Sequence, residues 1–196
     1  MKIFIFILLA AVFFFKPFPV QATGLSVDIV DASYASVTSP AVAMDSVQFS
    51  FACQTASGAL GTATEQIYVN NDDGADGGWD VSLAAANVAD LWTSGGNTYD
   101  FNDSTGDGCT NGQMTVNASA GTLATGQCSG CTTTGVTKGN SAAFTETNSI
   151  TILSGALGSD DTGDWTLRGV TISQKIPAEK PVGSYSINMV LTIAAK

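Results

Sequence analysis

Hydrophobic positions along this chain recur at every second residue, which is the repeat of a strand with one face buried. Tyr185, Ile187, Met189, Leu191 and Ile193 alternate over nine residues, and Val47, Phe49, Phe51 and Cys53 alternate with Gln48, Ser50 and Ala52. Shorter runs repeat the pattern at Leu25/Val27/Ile29, Ile67/Val69, Trp79/Val81/Leu83, Met114/Val116 and Ile150/Ile152, and at Trp165/Leu167 continuing to Val170/Ile172. Turn sequences rich in Gly, Asn, Asp, Ser and Thr separate them. Leu83 to Trp92 could hold a helical turn or two, but it has no convincing cap. The pattern predicts an all-β chain of about eight or more short strands, arranged as an antiparallel sandwich. A closed barrel satisfies the same strand count.

The first residues follow a different rule. Met1-Lys2 is a positive start, Ile3 to Phe15 is an unbroken apolar run, and Val20-Gln21-Ala22 places small residues at the positions a signal peptidase reads. Met1 to Ala22 is therefore expected to be a cleaved secretory signal. The run falls short of the roughly 20 residues a spanning helix needs, and Lys16, Pro17 and Pro19 follow at once. No membrane insertion is expected after cleavage. Residues 23–196 then form one domain, long enough to bury most of its unfolded surface.

Loss of Lys2 and Lys16 sharpens the acidity of what remains. The full chain has 7 Lys+Arg against 17 Asp+Glu, a formal net charge of -10, and no histidine. Without imidazole there is no Ser-His-Asp or Cys-His nucleophile system and no His-ligated metal. The acidity argues against nucleic acid or anionic lipid as partner, because both require a basic patch. A glycosidase built on carboxylates is the one enzymatic reading left, and no pair among Glu65, Glu146 and Glu179 or the turn aspartates is singled out for it. The chain reads as non-catalytic.

From Thr23 to Thr137 acidic residues occur without a single Lys or Arg. Within that stretch, Asp100, Asn102, Asp103 and Asp107 space oxygen ligands around a Gly-containing turn, a chemistry suited to calcium, although the glycine and the twelfth position do not fit an EF-hand. A second cluster, Asn70 to Asp76, has no regular ligand spacing. Good turn formation accounts for both clusters equally well. Two sequons, Asn102-Asp-Ser104 and Asn117-Ala-Ser119, would permit glycosylation in a host equipped for it.

Cys53, Cys109, Cys128 and Cys131 all lie in the exported part, so two structural disulfides are expected. Of the three connectivities, Cys109 with Cys128 and Cys53 with Cys131 is favoured, which staples the longest loop to an early strand. Cys128-Ser-Gly-Cys131 also has the spacing of a redox dithiol or of half a zinc site. No helix is on hand to lower a thiol pKa, and no second pair completes a zinc knuckle.

Trp79, Trp92 and Trp165 could stack on a sugar, but two of them open strand-like alternations, where burial is the commoner role. Trp79-Asp-Val81-Ser-Leu83, then Trp165-Thr-Leu167, then Val182-Gly-Ser-Tyr185 entering an alternating strand, together resemble the WxL surface domains of bacteria. Leu191 stands where that family's distal motif has a tryptophan. The resemblance covers about Glu65 to Lys196. It implies an exported β-rich domain at the bacterial cell surface, associated non-covalently with cell-wall polymer or other envelope proteins, with Trp79, Val81, Trp165, Leu167 and Tyr185 as its motif residues. A different class of function also suits the chain: a pilin-like or surface-layer subunit that associates with copies of itself by strand addition at a sheet edge. A carbohydrate-binding or carbohydrate-active protein is the distant third.

Overall fold

The computed structural model describes residues 24–72, 77–105, 107–145, 149–159 and 162–196. The expected signal, Met1 to Ala22, lies outside the described residues. The chain is all-β, in antiparallel sheets. One sheet runs in the order β1 (Leu25–Val30), β3 (Gln66–Asn71), β12 (Gly163–Arg168), β8 (Thr122–Thr125). A second runs β10 (Ser141–Ala143), β7 (Gln113–Asn117), β13 (Val170–Ile176), β2 (Gln54–Leu60). A third runs β14 (Met189–Ala195), β4 (Trp79–Ala85), β11 (Ser149–Gly155), β9 (Val136–Lys138). A hairpin of β5 (Trp92–Ser94) and β6 (Asn97–Tyr99) completes the set.

The first two sheets are halves of one bent layer, because the chain passes from one to the other without changing its neighbours. Strand β2 pairs β13 from Gln54↔Ile176 to Leu60↔Val170, and past the corner β3 pairs β12 with Ile67↔Leu167. The single run expected from Trp165 to Ile172 is therefore two strands in two sheets. Gly169 makes the corner at φ 73°, and its N–H donates to the Gly61 carbonyl at 2.6 Å. Gly61 sits at φ 81°, where a Cβ would come 2.7 Å from the Leu167 carbonyl oxygen. Only glycine combines that dihedral with that approach.

The third sheet packs on this layer through the residues with the strongest alternation. Trp79 of β4 and Trp165 of β12 meet with ring centroids 5.5 Å apart, and Ile67, Val69, Val81, Ile152, Leu153 and Leu167 close around them, all fully buried. Strand β11 places Ile152 and Leu153, two consecutive apolar residues, in the core by means of a bulge between Thr151 and Leu153. The sandwich stays open, so the closed-barrel alternative does not hold. Strands β1 and β14 are the edges of facing layers and lie against each other, but among the described residues no ladder joins them.

Two other expectations need correction. Val47 to Cys53 is not a strand. Met44 bridges Gly58 and the Asp45 N–H reaches the Ser57 carbonyl, after which the chain leaves the sheet and exposes Phe49 and Phe51. Strand β2 starts where the alternation ends, at Gln54, because a seven-residue partner in β13 is available there. Leu83 to Trp92 holds no helix. Strand β4 runs on to Ala85, and Asn87 and Asp90 close a turn, with the Asn87 N–H on the Asp90 carboxylate at 2.9 Å. Among the described residues, a short 3-10 turn at Ala118–Ala120 lies elsewhere and is capped by the Asn117 side chain.

The disulfides also differ from the favoured pairing. Cys53 joins Cys109, and Cys128 joins Cys131. The reason is topological. The open segment delivers Cys53 to the start of β2, while Cys109 precedes β7, and both strands flank β13 in one sheet. Cys128 lies beside Asp164 of β12, near the other end of the layer.

Candidate functional site

A broad concavity follows from how the chain enters and leaves β13. Beyond Ile176, Pro177 and Pro181 remove two backbone donors, and Glu179 takes φ 61°, so the ladder stops and the chain swings outward. It returns at Ser186, which exchanges both backbone hydrogen bonds with Thr93 of β5 at 2.9 and 3.0 Å. On the opposite side, residues 40–50 run extended with few sheet contacts. Between the two lies a groove of about 1150 Å³. Its floor includes Ala56, Met114 and Ile172, all buried; Val42, Met44, Ile187, Met189 and Leu191 stand along its walls, each only half-buried.

Hydrogen bonds and stacked rings hold one end of the groove. Gln174, 1% exposed, accepts the Trp92 indole N–H at 2.9 Å and donates to the carbonyls of Asp100 and Lys175 at 3.0 and 2.8 Å. A buried amide with these partners pins the hairpin onto β13. Tyr99 of the hairpin packs on Tyr185 with centroids 4.9 Å apart, and the Tyr185 hydroxyl donates to the Pro181 carbonyl at 3.0 Å. Burial, with a smaller contribution from Tyr185, pushes the Tyr99 phenol up to about 12, so it stays neutral at physiological pH. At the rim, Phe49 is 47% and Phe51 79% exposed, in edge-to-face contact at 5.1 Å, and Val182 is 82% exposed.

The WxL-like residues divide. Trp79, Val81, Trp165 and Leu167 are sealed in the core, so Trp79 and Trp165 offer no ring to a polymer, whereas Trp92, the first residue of the hairpin, is 9% exposed and lines the groove. Tyr185 alone of the motif residues borders the groove. The aromatics at the surface are Phe49 and Phe51, which the alternation assigns to a strand. The prolines Pro40, Pro177 and Pro181 were the available sign that both flanking segments leave the sheet.

The acidic loop is built around its own backbone. Asp100 Oδ1 accepts the N–H of Phe101 and of Asn102, Asp107 Oδ1 accepts that of Cys109, and the Asn102 side-chain amide donates to the Val88 carbonyl. Asp103 spans the loop, taking the Thr105 N–H at 2.9 Å on Oδ1 and the Asn111 N–H at 3.1 Å on Oδ2. No group of three or more His, Cys, Asp or Glu poised to hold a metal occurs among the described residues. In the second acidic cluster, Asp73 and Asp76 lie outside the described residues. Of the two sequons, Asn102 is buried, whereas Asn117 is half-exposed.

The amide and hydroxyl of Thr105, followed by Asn111, hold the Asp103 carboxyl below the usual aspartate range. A carboxyl depressed on folding stabilises the native state at neutral pH, and that contribution is lost as pH falls from the unfolded value, about 3.9, through the folded one. The melting temperature is therefore expected to drop more steeply below about pH 4 in the wild type than in Asp103→Asn. Parallel acid limbs in thermal scans of the two proteins would remove Asp103 from this role.

An all-β, disulfide-bonded, sandwich-like protein with an open apolar groove is the class these features define. No protein-family model, curated protein or solved structure matches the chain.

Proposed function

We propose that this chain is a non-catalytic, exported envelope protein of the bacterial surface that assembles with copies of itself by strand addition at the edge of β14, which β1 flanks without a ladder among the described residues. The observation that carries this reading is the character of that edge. Sheet proteins usually guard an edge strand with Lys, Pro or a bulge. Met189–Ala195 has no charged residue, no proline and no glycine, and it keeps an unbroken register with β4 from Met189↔Ala85 to Ala195↔Trp79. A second β14 brought alongside about a twofold axis would continue the third sheet and cover the half-buried side chains beside the groove.

Sedimentation velocity on oxidised protein beginning at Thr23 tests this. The expected result is a dimer or larger species that grows with concentration, and its loss in Val190→Lys/Thr192→Lys, which sets like charges across the new seam. A monomer at every concentration would overturn it.

The exposed Phe49–Phe51 pair favours a second reading, WxL-like attachment to cell-wall polymer through sugar faces. Co-sedimentation with purified sacculi separates the two. Retention abolished by Phe49→Ser/Phe51→Ser supports attachment, whereas protein left in the supernatant rules it out.

A further inference from the structure

We infer that Cys128–Cys131 is a thiol–disulfide exchange site, open to a cysteine-bearing exported partner whose thiol is flanked by basic residues. This stands apart from the assembly reading and does not depend on it. The two bridges of the chain differ in kind. Cys53–Cys109 spans 56 positions, whereas Cys128–Cys131 spans three. A bridge closing so short a loop restrains the unfolded chain little, and exposed disulfides are the ones that exchange.

The surroundings permit attack. Ser129 and Gly130 are exposed, Cys131 is half-buried, and nothing lies within 4 Å of where a Gly130 Cβ would stand. The bridge borders a depression of about 360 Å³ together with Asn70, Asp72, Thr162 and Asp164. An incoming chain therefore has both access and a seat.

The two sulfurs are not equivalent. The Asp164 backbone N–H points at Cys128 Sγ from 3.4 Å, and the Asp164 carbonyl oxygen lies 3.6 Å from the same sulfur. The first can stabilise a departing thiolate, and the second can accept from the thiol once it is protonated. Cys131 Sγ faces the Thr162 carbonyl oxygen at 3.9 Å, a contact that disfavours negative charge as the Asp164 carbonyl does at Cys128, so it is the Asp164 N–H that sets Cys128 apart. A helix N-terminus is the usual device for this polarisation. Here a backbone amide near the start of β12 supplies a weaker version of it.

Asp164 is itself held in place. Its Oδ1 accepts the Cys128 N–H at 3.1 Å and its Oδ2 the Tyr68 hydroxyl at 2.7 Å. Burial, and after it Asp164, pushes the Tyr68 phenol up to about 12, so that donor stays protonated. With Asp72 beside it, the depression is negative and selects a partner with basic flanks.

The chemistry balances as follows. A partner thiolate attacks Cys131 Sγ, the Sγ–Sγ bond breaks, and its electron pair leaves on Cys128, which takes a proton from solvent. The partner's second thiol then loses its proton and attacks the partner sulfur of the mixed disulfide. Cys131 departs as thiolate and is protonated. Two electrons and two protons pass from the partner dithiol to this chain, and the partner gains a disulfide.

The test uses folded, oxidised wild-type protein and two reduced dithiol peptides of equal length, one with Arg and one with Glu around its cysteines. Timed quenching by alkylation, followed by mass mapping, reads which bridge has opened. The expected result is opening of Cys128–Cys131 with Cys53–Cys109 intact, roughly tenfold faster with the Arg peptide at low salt and converging at high salt. Opening of both bridges together, or of Cys128–Cys131 only in denaturant, would overturn the exchange site. Equal rates for the two peptides would overturn its selectivity for basic partners.

Discussion

Trp165→Ala is expected to lower the unfolding free energy by about 3–5 kcal/mol, the range for removing a fully enclosed large aromatic. The residue has no solvent exposure and packs on Trp79 across the two layers, the rings tilted by 41°. Its indole N–H also donates to the Thr132 carbonyl at 2.9 Å, tying the loop after Cys131 to the core. The neighbours cannot collapse inward easily. Gly163 lies against the ring, with a Cβ there only 3.0 Å from it, and Gly155 lies against Trp79 in the same way at 2.5 Å. On that side both rings rest on backbone, which cannot move to fill a void as a side chain can. Trp165→Phe keeps most of the packing and loses the N–H, so its cost should be nearer 1–2 kcal/mol. Urea titration of the three proteins gives the comparison, and a loss below about 1 kcal/mol for the alanine variant would contradict the packing described.

Removing Cys53–Cys109 is the second large effect. In the chain-entropy account, a bridge between residues 56 apart contributes about 4 kcal/mol by restricting the unfolded ensemble. One that spans three contributes about 2 kcal/mol at most. Cys53→Ala/Cys109→Ala should therefore destabilise the protein about twice as much as Cys128→Ala/Cys131→Ala. The first bridge also fixes the end of the open segment to the acidic loop before β7, so its loss should loosen the groove wall that bears Val42 and Met44. Calorimetry of both double variants, with non-reducing peptide mapping of the wild type, checks the magnitudes and the connectivity together. The reverse ranking would mean that the short bridge holds the fold.

How far the sequence anticipates the structure depends on how each element is stabilised. Strands β3, β4 and β7 bury mainly alternate residues, so period two marks them directly, and in β12 the apolar Trp165 and Leu167 alternate although both faces are buried. The nine-residue alternation from Tyr185 to Ile193 likewise describes a face correctly, although only its second half, from Met189, joins a ladder. Strands β2 (QTASGAL), β8 (TLAT), β9 (VTK) and β10 (SAA) carry little alternation. Their neighbours hold them by backbone hydrogen bonds, which any residue but proline can make. Val47 to Cys53 is the converse case, an alternation with no neighbour to pair with. A strand requires both a suitable face and a partner, and only the face is written locally.

The site follows the same division. The chain's own composition determines that it is acidic and lacks histidine chemistry, that it is built of strands, and that Trp79 and Trp165 head buried runs, since these are properties of residue types and their spacing. Tertiary structure alone decides that Cys53 meets Cys109, that one apparent run is two strands bent at Gly169, and that Asp164 turns its amide toward Cys128. It also decides that β1 and β14 meet without a ladder, and that residues 40–50 and the segment after β13 leave a groove between them. Each of these depends on which segments become neighbours across long stretches of chain, and that is set by the packing of the whole core.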